Sequence, residues 1–465
     1  MPDFYNKLEN LYNSNMYPLH MPGHKRNAED IVLKDISKID ITEIDDFDNL
    51  HDASGIIATA QERANKLYGA DETFFLVNGS TSGVLSAISA VAGENDTILV
   101  GRNCHKSLYH AAYLRKLNLK YIYPEYLREY DLYGKIDPDT LENMLNPSIK
   151  AVFITSPTYD GISSDIAKIA DIAHKNGIPL IVDAAHGAHF GFSKELPENA
   201  IKQGADLVIH SVHKTLPSMT QTALLHVQGK LIDRDRLRRF LRIYQTSSPS
   251  YVFMASIDSC MDYLDGTNKG FFDNLIKYKE EIIQATANTR HIKVFGNDII
   301  NDAAKVVISV KNTTMTGQQL YDILREDYDL QLEMAGASYG LAIISGLDTQ
   351  EGIRRLIRAI IEIDEQLSGK TDSSYDEMLY HNEVIMPIYK AWDSDYDILR
   401  LDQATGACSA DFINLYPPGI PLVVPGEIIT QKLIDDLKRF IKQGMNVQGV
   451  LDINGCSSVK VIVKK

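Results

Sequence analysis

The sequence predicts an α/β protein built on a mostly parallel sheet that helices cover on both faces. Short apolar runs alternate with helical stretches from about residue 53 onward. The runs are almost continuously apolar, as strands are when both faces of a parallel sheet are buried. The predicted strands are Phe74 to Val77, Thr97 to Val100, Lys120 to Tyr123, Ala151 to Ile154, Ile178 to Val182, Ala205 to Ile209 and Ala223 to Val227.

Helices are predicted between these strands, and a different pattern follows them. Residues 82–92 and 165–176 have helical character, and the second stretch stops at Gly177, where a helix commonly ends. After about residue 290, shorter strands mix with helices, which indicates smaller α+β domains. The predicted elements there are strands at 293–295, 304–310 and 339–344, helices at 317–326 and 431–443, and a Pro- and Gly-rich loop at 416–421. The predicted domains are an irregular N-terminal arm at 1–52, a large domain at 53–290, a small α+β domain at 291–370 and a C-terminal domain at 371–465.

Composition and charge exclude several function classes. The chain has 47 Lys and Arg against 62 Asp and Glu, a net charge of -15, and contains no basic block. An acidic chain of this kind is a poor candidate for binding nucleic acid or an anionic membrane. No apolar run approaches the length of a membrane span, and the first residues lack the pattern of a signal peptide. The four cysteines are far apart without CxxC spacing, which indicates reduced thiols in a cytoplasmic protein and no zinc site.

Two ionisable residues stand at the ends of neighbouring predicted strands. Lys214 follows the strand at 205–209, and Asp183 follows the strand at 178–182. A lysine that forms a Schiff base with pyridoxal phosphate (PLP), and an aspartate that keeps the pyridine nitrogen protonated, need this arrangement. A desolvated lysine is also shifted toward the neutral amine that attacks carbonyls. The alternatives are a surface lysine after a strand and an aspartate that caps a helix.

Other residues near these two could bind the rest of the cofactor. Residues 78–83, which include Ser80, Thr81 and Ser82, follow a strand and open a helix, so their N–H groups and hydroxyls suit a phosphate. Hydroxyl residues there also cap helices when no ligand is present. Ser211 and His213 could donate to the same phosphate. Small residues after Asp183 leave room for a flat ring, with Ala185 on one face and His105 on the other, although a structural role for His105 is an alternative. His186 and His189 are ambiguous, and their neighbours do not indicate a metal, so we predict none.

Eight stretches of the sequence are distinctive: PLHMPGHK (18–25), FLVNGSTSG (75–83), RNCHKS (102–107), TSPTYDG (155–161), VDAAHGAHF (182–190), SVHKTLPSMTQ (211–221), QTSSPSYVFMASID (245–258) and YPPGIPLVVPGE (416–427). Together they resemble the Orn/Lys/Arg decarboxylase family, whose members are PLP-dependent. They extend from the arm to the C-terminal segment, so the resemblance covers nearly the whole chain. The resemblance implies the aminotransferase-like fold type I, in the short form that lacks an N-terminal wing domain.

The resemblance also implies roles for individual residues. Lys214 is the Schiff-base lysine, Asp183 pairs with the pyridine nitrogen, and Ala185 and His105 enclose the ring. The implied phosphate and cofactor contacts are Ser80, Thr81, Ser82, His186, Ser211 and His213, with Ser247 or Ser248 reaching the phosphate of a partner subunit. The resemblance therefore implies a homodimer with shared active sites, and it implies that His24 and residues 45–51 lie near the interface.

The implied reaction is decarboxylation of a basic amino acid to its amine and CO2, as in polyamine biosynthesis. Arginine is the first candidate substrate, followed by lysine and ornithine. The alternatives are another PLP reaction, such as transamination or elimination, and a non-catalytic PLP-binding protein. Acidic groups for the substrate side chain could come from Asp45, Asp46, Asp48 or Glu427. The chain departs from the family pattern at Ala184, Val212 and Ala407, and Ala184 is expected to remove a carboxylate beside the cofactor.

Overall fold

The computed structural model describes residues 10–11, 13–27, 36–267, 270–369, 380–415 and 419–463. The strands are β1 (Tyr17–Leu19), β2 (Glu72–Leu76), β3 (Thr97–Gly101), β4 (Asn118–Ile122), β5 (Tyr126–Leu127), β6 (Leu132–Tyr133), β7 (Ile149–Thr155), β8 (Leu180–Asp183), β9 (Leu207–His210), β10 (Ala223–Val227), β11 (Lys293–Val294), β12 (Lys305–Ser309), β13 (Leu330–Leu332), β14 (Met334–Ala335), β15 (Tyr339–Ile343), β16 (Tyr396–Arg400), β17 (Ile413–Leu415), β18 (Pro421–Val423), β19 (Val447–Gln448), β20 (Leu451–Ile453) and β21 (Cys456–Ile462).

Helices alternate with these strands. They are α1 (Ile56–Tyr68), α2 (Gly79–Val91), α3 (Lys106–Arg115), α4 (Pro138–Met144), α5 (Ile166–Lys175), α6 (Val212–Thr215), α7 (Arg234–Tyr244), α8 (Tyr251–Asp262), α9 (Phe271–Ala285), α10 (Gly317–Glu326), α11 (Gln350–Gln366), α12 (Ile388–Ala391) and α13 (Gln431–Lys442). Short 3-10 turns occupy Ile36–Lys38, Leu50–Asp52 and Leu401–Gln403, and a π-helical turn occupies Tyr263–Thr267. Across the described residues, no helix combines the length and the apolar character that crossing a membrane requires.

Seven strands form the large sheet, in the order β2-β10-β9-β8-β7-β3-β4. The pairs from β9 to β4 are all parallel, and β10 runs antiparallel to both of its neighbours. The prediction of a mostly parallel sheet is therefore confirmed, and all seven predicted strands are present with their bounds shifted by a few residues at most. Because the strands other than β10 point the same way, their carboxyl ends meet at one edge of the sheet, where ligands bind in such folds.

Both faces of this sheet are buried, as the near-continuous apolar strands predict. Val152 and Ile154 of β7 pack into one apolar cluster, whereas Ala151 and Phe153 of the same strand pack into another. Successive side chains of a strand point to opposite faces. The two clusters therefore cover opposite faces, and this double cover is the α/β arrangement of the predicted fold class.

Smaller sheets follow the large one. Strands β11, β12, β15 and β14 form a four-stranded sheet, and β16-β21-β20 and β18-β17-β19 form two three-stranded sheets near the C-terminus. Helix α10 begins with a capping box, in which Thr316 and Gln319 each accept a hydrogen bond from the other's backbone N–H, so its first turn is satisfied locally. The predicted domain limits at residues 52, 290 and 370 stay predictions.

The arm is more regular than its sequence predicts. Its strand β1 pairs in parallel with β13 of the C-terminal half. Further along, Gly23 N donates to His213 O at 2.8 Å. A Cβ atom on Gly23 would lie 2.6 Å from the backbone carbon of Thr215, so only glycine permits this close approach. The arm therefore packs directly against α6, the one-turn helix that contains Lys214.

Two further details differ from the predictions. The segment expected to be a Pro- and Gly-rich loop contributes strand β18 from its end, while residues 416–418 lie outside the described residues. Lys214 lies within the helical turn α6, an element that the sequence analysis does not predict. Both segments are placed by contacts with distant parts of the chain, which local sequence patterns do not record.

Candidate active site

A cavity of about 420 Å³ lies at the edge where the carboxyl ends of the parallel strands meet. Nine of the predicted site residues line it: Ser80, Thr81, His105, Asp183, Ala185, His186, Ser211, His213 and Lys214. They come from different segments, each of which follows a strand of the large sheet. Parallel strands thus bring together side chains that are more than 130 residues apart in the chain.

The amine of Lys214 has a strongly perturbed pKa. Its pKa is lowered to about 8, mainly by burial and also by the charge of Lys305, while the carboxylates of Asp183 and Glu333 oppose the shift. Its Nζ lies 3.0 Å from Nε2 of His186. Burial also holds the pKa of His186 well below its usual value, so the imidazole is neutral beside the amine. A lysine in this state is a far better nucleophile toward carbonyls than a solvated one.

Asp183 is the last residue of β8 and lies in the strand next to β9, which leads to Lys214. Its side chain is 5% exposed, and one carboxylate oxygen accepts a hydrogen bond from Ala185 N at 3.1 Å. Burial raises the pKa of this carboxyl, and the charge of Lys214 acts in the opposite direction. The residues after Asp183 form turns, so it does not cap a helix. A buried carboxylate in this position can pair with a cation or a protonated ring nitrogen.

The N-terminus of α2 and residue Ser211 form a site that suits an anion. Gly79, Ser80 and Thr81 open the helix and line the cavity, and the first N–H groups of a helix have no intrahelical acceptor. Ser211 Oγ is fully buried, and no described residue offers it a hydrogen-bond partner. A buried hydroxyl without a partner carries a desolvation cost that a bound acceptor removes. These groups therefore fit a phosphate.

His105 is the N-cap residue of α3, and its Nδ1 accepts a hydrogen bond from Ser107 N at 3.2 Å. Burial lowers the pKa of its ring to about 3, and the nearby charges of Lys214 and Lys106 act in the same direction. The ring is thus neutral, held in one orientation by its own helix, and it lines the same cavity as Ala185. His105 thus has a structural role as a helix cap, and it also lines the cavity.

Several predicted residues are placed differently. Ser82 is buried, and its hydroxyl donates to Gly79 O at 2.8 Å, so it stabilises the first turn of α2. Ser247 and Ser248 are exposed, and neither is among the described residues that line the cavity. They follow Thr246, whose carbonyl lies 2.8 Å from His51 Nε2. The predicted contact of this loop with a partner subunit stays a prediction.

Two of the four acidic residues proposed for the substrate side chain have other contacts. Glu427 is 1% exposed and accepts a hydrogen bond from the buried guanidinium of Arg102 at 3.0 Å. Asp48 accepts hydrogen bonds from backbone N–H groups at the start of α1, including those of Gly55 and Ile57. Asp45 and Asp46 are exposed. None of the four is among the described residues that line the cavity. The sequence alone does not show which acidic residue is available to a substrate, because this depends on the hydrogen-bond donors around each carboxylate in the fold.

The cavity instead contains two carboxylates that the sequence analysis missed. Glu333 lies between β13 and β14, and it accepts hydrogen bonds from Tyr159 OH at 2.5 Å and from Met21 N at 3.0 Å. Asp160 accepts a hydrogen bond from Tyr339 OH at 2.7 Å. Asp160 could have been suspected, because it stands in TSPTYDG just after β7, at the same edge of the sheet. Glu333 comes from a distant segment that carries no local signal.

None of the three departures from the family pattern is among the described residues that line the cavity. Ala184 and Val212 are buried in the apolar cluster beneath the large sheet. Ala407 packs against the apolar cluster of the C-terminal segment. The side chain of Ala184 packs in the core, and the expectation that this residue removes a carboxylate beside the cofactor stays a prediction. His189 is also structural, since it is fully buried and pairs with Asp302 at 2.8 Å.

Comparisons with solved structures define the class of fold. The constitutive lysine decarboxylase of E. coli is 19% identical with a TM-score of 0.76, and covers 100% of this chain and 82% of its own. Lysine decarboxylase A from Pseudomonas aeruginosa is 20% identical with a TM-score of 0.77, over 100% of this chain and 80% of its own. A structure described as SPT with PLP matches with a TM-score of 0.59 at 14% identity, over 75% of this chain and 87% of its own. The fold is therefore the aminotransferase-like fold type I.

Sequence comparisons define the family within this class. The model of the Orn/Lys/Arg decarboxylase major domain matches residues 2–328, and that of the C-terminal domain matches residues 383–455. The chain is 31% identical to an arginine decarboxylase of Bacillus subtilis (strain 168), over 93% of this chain and 92% of that protein. It is 35% identical to the uncharacterized protein YaaO of the same organism, over 94% of each. The chain belongs to the Orn/Lys/Arg decarboxylase family.

Proposed function

We propose that this protein uses PLP to decarboxylate a basic amino acid, with arginine as the first candidate substrate and lysine and ornithine next. The observation that carries the proposal is the pair Lys214 and Asp183 in one cavity, with the amine shifted toward its neutral form. Family membership over nearly the whole chain supports the reaction type. The curated relatives named arginine decarboxylase support arginine as the first substrate to test.

The residues of the cavity fit PLP in size and in chemistry. Ser211 Oγ and the start of α2 at Ser80 and Thr81 would hold the phosphate, because they offer a buried hydroxyl and helical N–H groups. Asp183 would hold a proton at the pyridine nitrogen, and Ala185 and His105 would orient the ring. When bound, PLP supplies an electron sink for the electrons released as the carboxylate leaves as CO2.

The chain itself would bind, orient and move protons. Lys214 Nζ would hold the cofactor at its aldehyde group, and the same amine could return a proton to the substrate Cα. His186 Nε2 accepts a hydrogen bond from Nζ at 3.0 Å and so fixes the amine in position. The ring of Tyr159 packs on His186 with 4.5 Å between ring centroids. Apolar side chains from the C-terminal segment, including Leu415 and Leu422, also line the cavity and would exclude water.

The other PLP reactions receive little support from the structure. The hypothesis of transamination or elimination depended on Ala184 and Ala407, and both pack in apolar clusters. A non-catalytic protein would have no need of an amine whose pKa is lowered to about 8 beside a buried carboxylate. We further propose a homodimer in which Ser247 or Ser248 reaches the partner's cofactor, and a cytoplasmic location, consistent with four free cysteines.

The proposal is tested with PLP-loaded protein and the three basic amino acids. We expect CO2 release and the matching amine, identified by mass spectrometry, from at least one of arginine, lysine and ornithine. Lys214→Ala should abolish the reaction, and Asp402→Asn, which alters an exposed carboxylate, should leave it unchanged. A keto acid product without CO2, or no product from any of the three, would exclude a decarboxylase of basic amino acids. Light scattering of the same sample tests the dimer.

A further inference from the structure

The two newly found carboxylates occupy different surroundings in the cavity. Glu333 interacts with groups around the reacting amine: its charge raises the pKa of Lys214, and its oxygens accept from Tyr159 OH and Met21 N. Tyr159 in turn packs on His186, which contacts Lys214. Glu333 therefore lies at the end of the cavity where the substrate Cα must sit. Each of its carboxylate oxygens already accepts a hydrogen bond.

Asp160 belongs to a different set of contacts. It follows Tyr159 in the chain, but its Oδ1 accepts a hydrogen bond from the hydroxyl of Tyr339, the first residue of β15. Its own backbone N–H also stabilises the carboxylate. A carboxylate offers about four acceptor positions. Asp160 therefore keeps acceptor capacity for a ligand, in a wall of the cavity built with Tyr339, Tyr133 and Gly336.

The burial of Asp160 indicates that it needs a cationic partner. The residue is 7% exposed, and burial raises the pKa of its carboxyl to about 6, despite the opposing effects of Tyr339 and of the charge on Lys305. Lys305 has a counter-ion of its own, since its Nζ lies 3.5 Å from an oxygen of Asp302. A buried carboxylate that remains short of positive charge gains most from a ligand that brings a cation.

We propose that Asp160, oriented by Tyr339, binds the distal cationic group of the substrate and thereby selects basic over neutral side chains. The inference rests on the proposed function, because the decarboxylation of a basic amino acid requires such a group. It assigns the distal ammonium or guanidinium to Asp160 and the reacting end to Lys214, with Glu333 beside it. The four acidic residues named from sequence are replaced in this role by a residue of the TSPTYDG motif.

The test measures binding without turnover. PLP-loaded protein is titrated calorimetrically with agmatine, cadaverine and putrescine, and with pentylamine, which has the length of cadaverine but lacks its second ammonium. We expect the best of the three dications to bind at least about 10-fold more tightly than pentylamine, and Asp160→Asn to remove most of this preference. The asparagine has nearly the same shape and keeps an acceptor for Tyr339 OH. Asp171→Asn, at an exposed carboxylate of α5, is the matched control and should change nothing.

Each outcome decides the matter. The proposal is overturned if wild-type protein does not bind a dication more tightly than pentylamine, or if this preference survives in Asp160→Asn. It is also overturned if Asp160→Asn weakens the binding of pentylamine as much as the binding of the dications. If Asp160→Asn does not fold, Tyr339→Phe replaces it and should reduce the preference about threefold or more; an unchanged preference then overturns the proposal. CO2 release is assayed separately, so a protein that prefers dications through Asp160 but releases no CO2 refutes the proposed function and leaves this inference standing.

Discussion

The lowered pKa of Lys214 makes a quantitative prediction about reactivity. At pH 7, a pKa of about 8 leaves roughly 9% of the amine neutral, against about 0.03% for a lysine at the usual value of 10.5. The neutral amine is the nucleophile, so at pH 7 Lys214 should offer about 300-fold more of the reactive form than an unperturbed lysine of equal accessibility. The rate should rise with pH to a midpoint near 8.

The assay follows PLP incorporation into PLP-free protein through its visible absorbance band, at several pH values. Free butylamine is measured alongside to correct for the titration of PLP itself, and Lys214→Ala should give no protein-bound band. Neighbouring charges should move the midpoint in opposite directions. Glu333→Gln should lower it, because the carboxylate raises the pKa of Lys214, and Lys305→Met should raise it, because that cation lowers the pKa. A midpoint near 10.5, or shifts of the opposite sign, would refute the argument.

Three further predictions concern the frame around the cavity. Glu427→Gln leaves the Arg102 cation buried and should cost about 3–5 kcal/mol in urea unfolding; a cost within the roughly 1 kcal/mol expected for an exposed ion pair would contradict it. Gly23→Ala should lower the free energy of unfolding by about 1–3 kcal/mol in the same assay, since the added Cβ would clash with the backbone of α6. An unchanged urea midpoint would show that the arm can move to accommodate the Cβ atom. Ser211→Ala should weaken PLP binding about 10-fold, whereas Ser82→Ala should not, and equal effects in fluorescence titrations would reject the assigned phosphate contacts.

The sequence predicts the large sheet well because its strands are buried on both faces. An apolar run such as Ala151 to Ile154 can be predicted to be a strand from its own sequence. Because the strands are parallel, the residues just after them lie at the same edge of the sheet. Lys214 and Asp183 could be paired for this reason. The acidic side chains that line the cavity are harder to predict from the sequence than the sheet is. Glu333 comes from the part of the chain beyond residue 290, and only its contacts with Tyr159 and Met21 place it in the site.

The acidic candidates for the substrate side chain stay open in the sequence for the same physical reason. Glu427 and Asp48 were candidates because a carboxylate suits a cationic substrate, yet their charges are already satisfied, by Arg102 in one case and by the N–H groups that open α1 in the other. Asp160 was passed over although it stands in a motif that carries the family resemblance. Whether a carboxylate is available to a ligand depends on its distance from the nearest donor, and that distance is a property of the fold.

The arm illustrates how a motif can have a role that its sequence does not suggest. His24, in the stretch PLHMPGHK, is expected near a subunit interface, but within a single chain this stretch already connects three parts of the site. Met21 N binds Glu333, Gly23 N binds the backbone of α6 at His213, and the buried Lys25 donates to Ile343 O at the end of β15. The reacting lysine, the carboxylate beside it and the strand that carries Tyr339 are therefore positioned by one short segment. A change in the arm should thus alter cofactor affinity and substrate selectivity together, even if the assembly of subunits is unaffected.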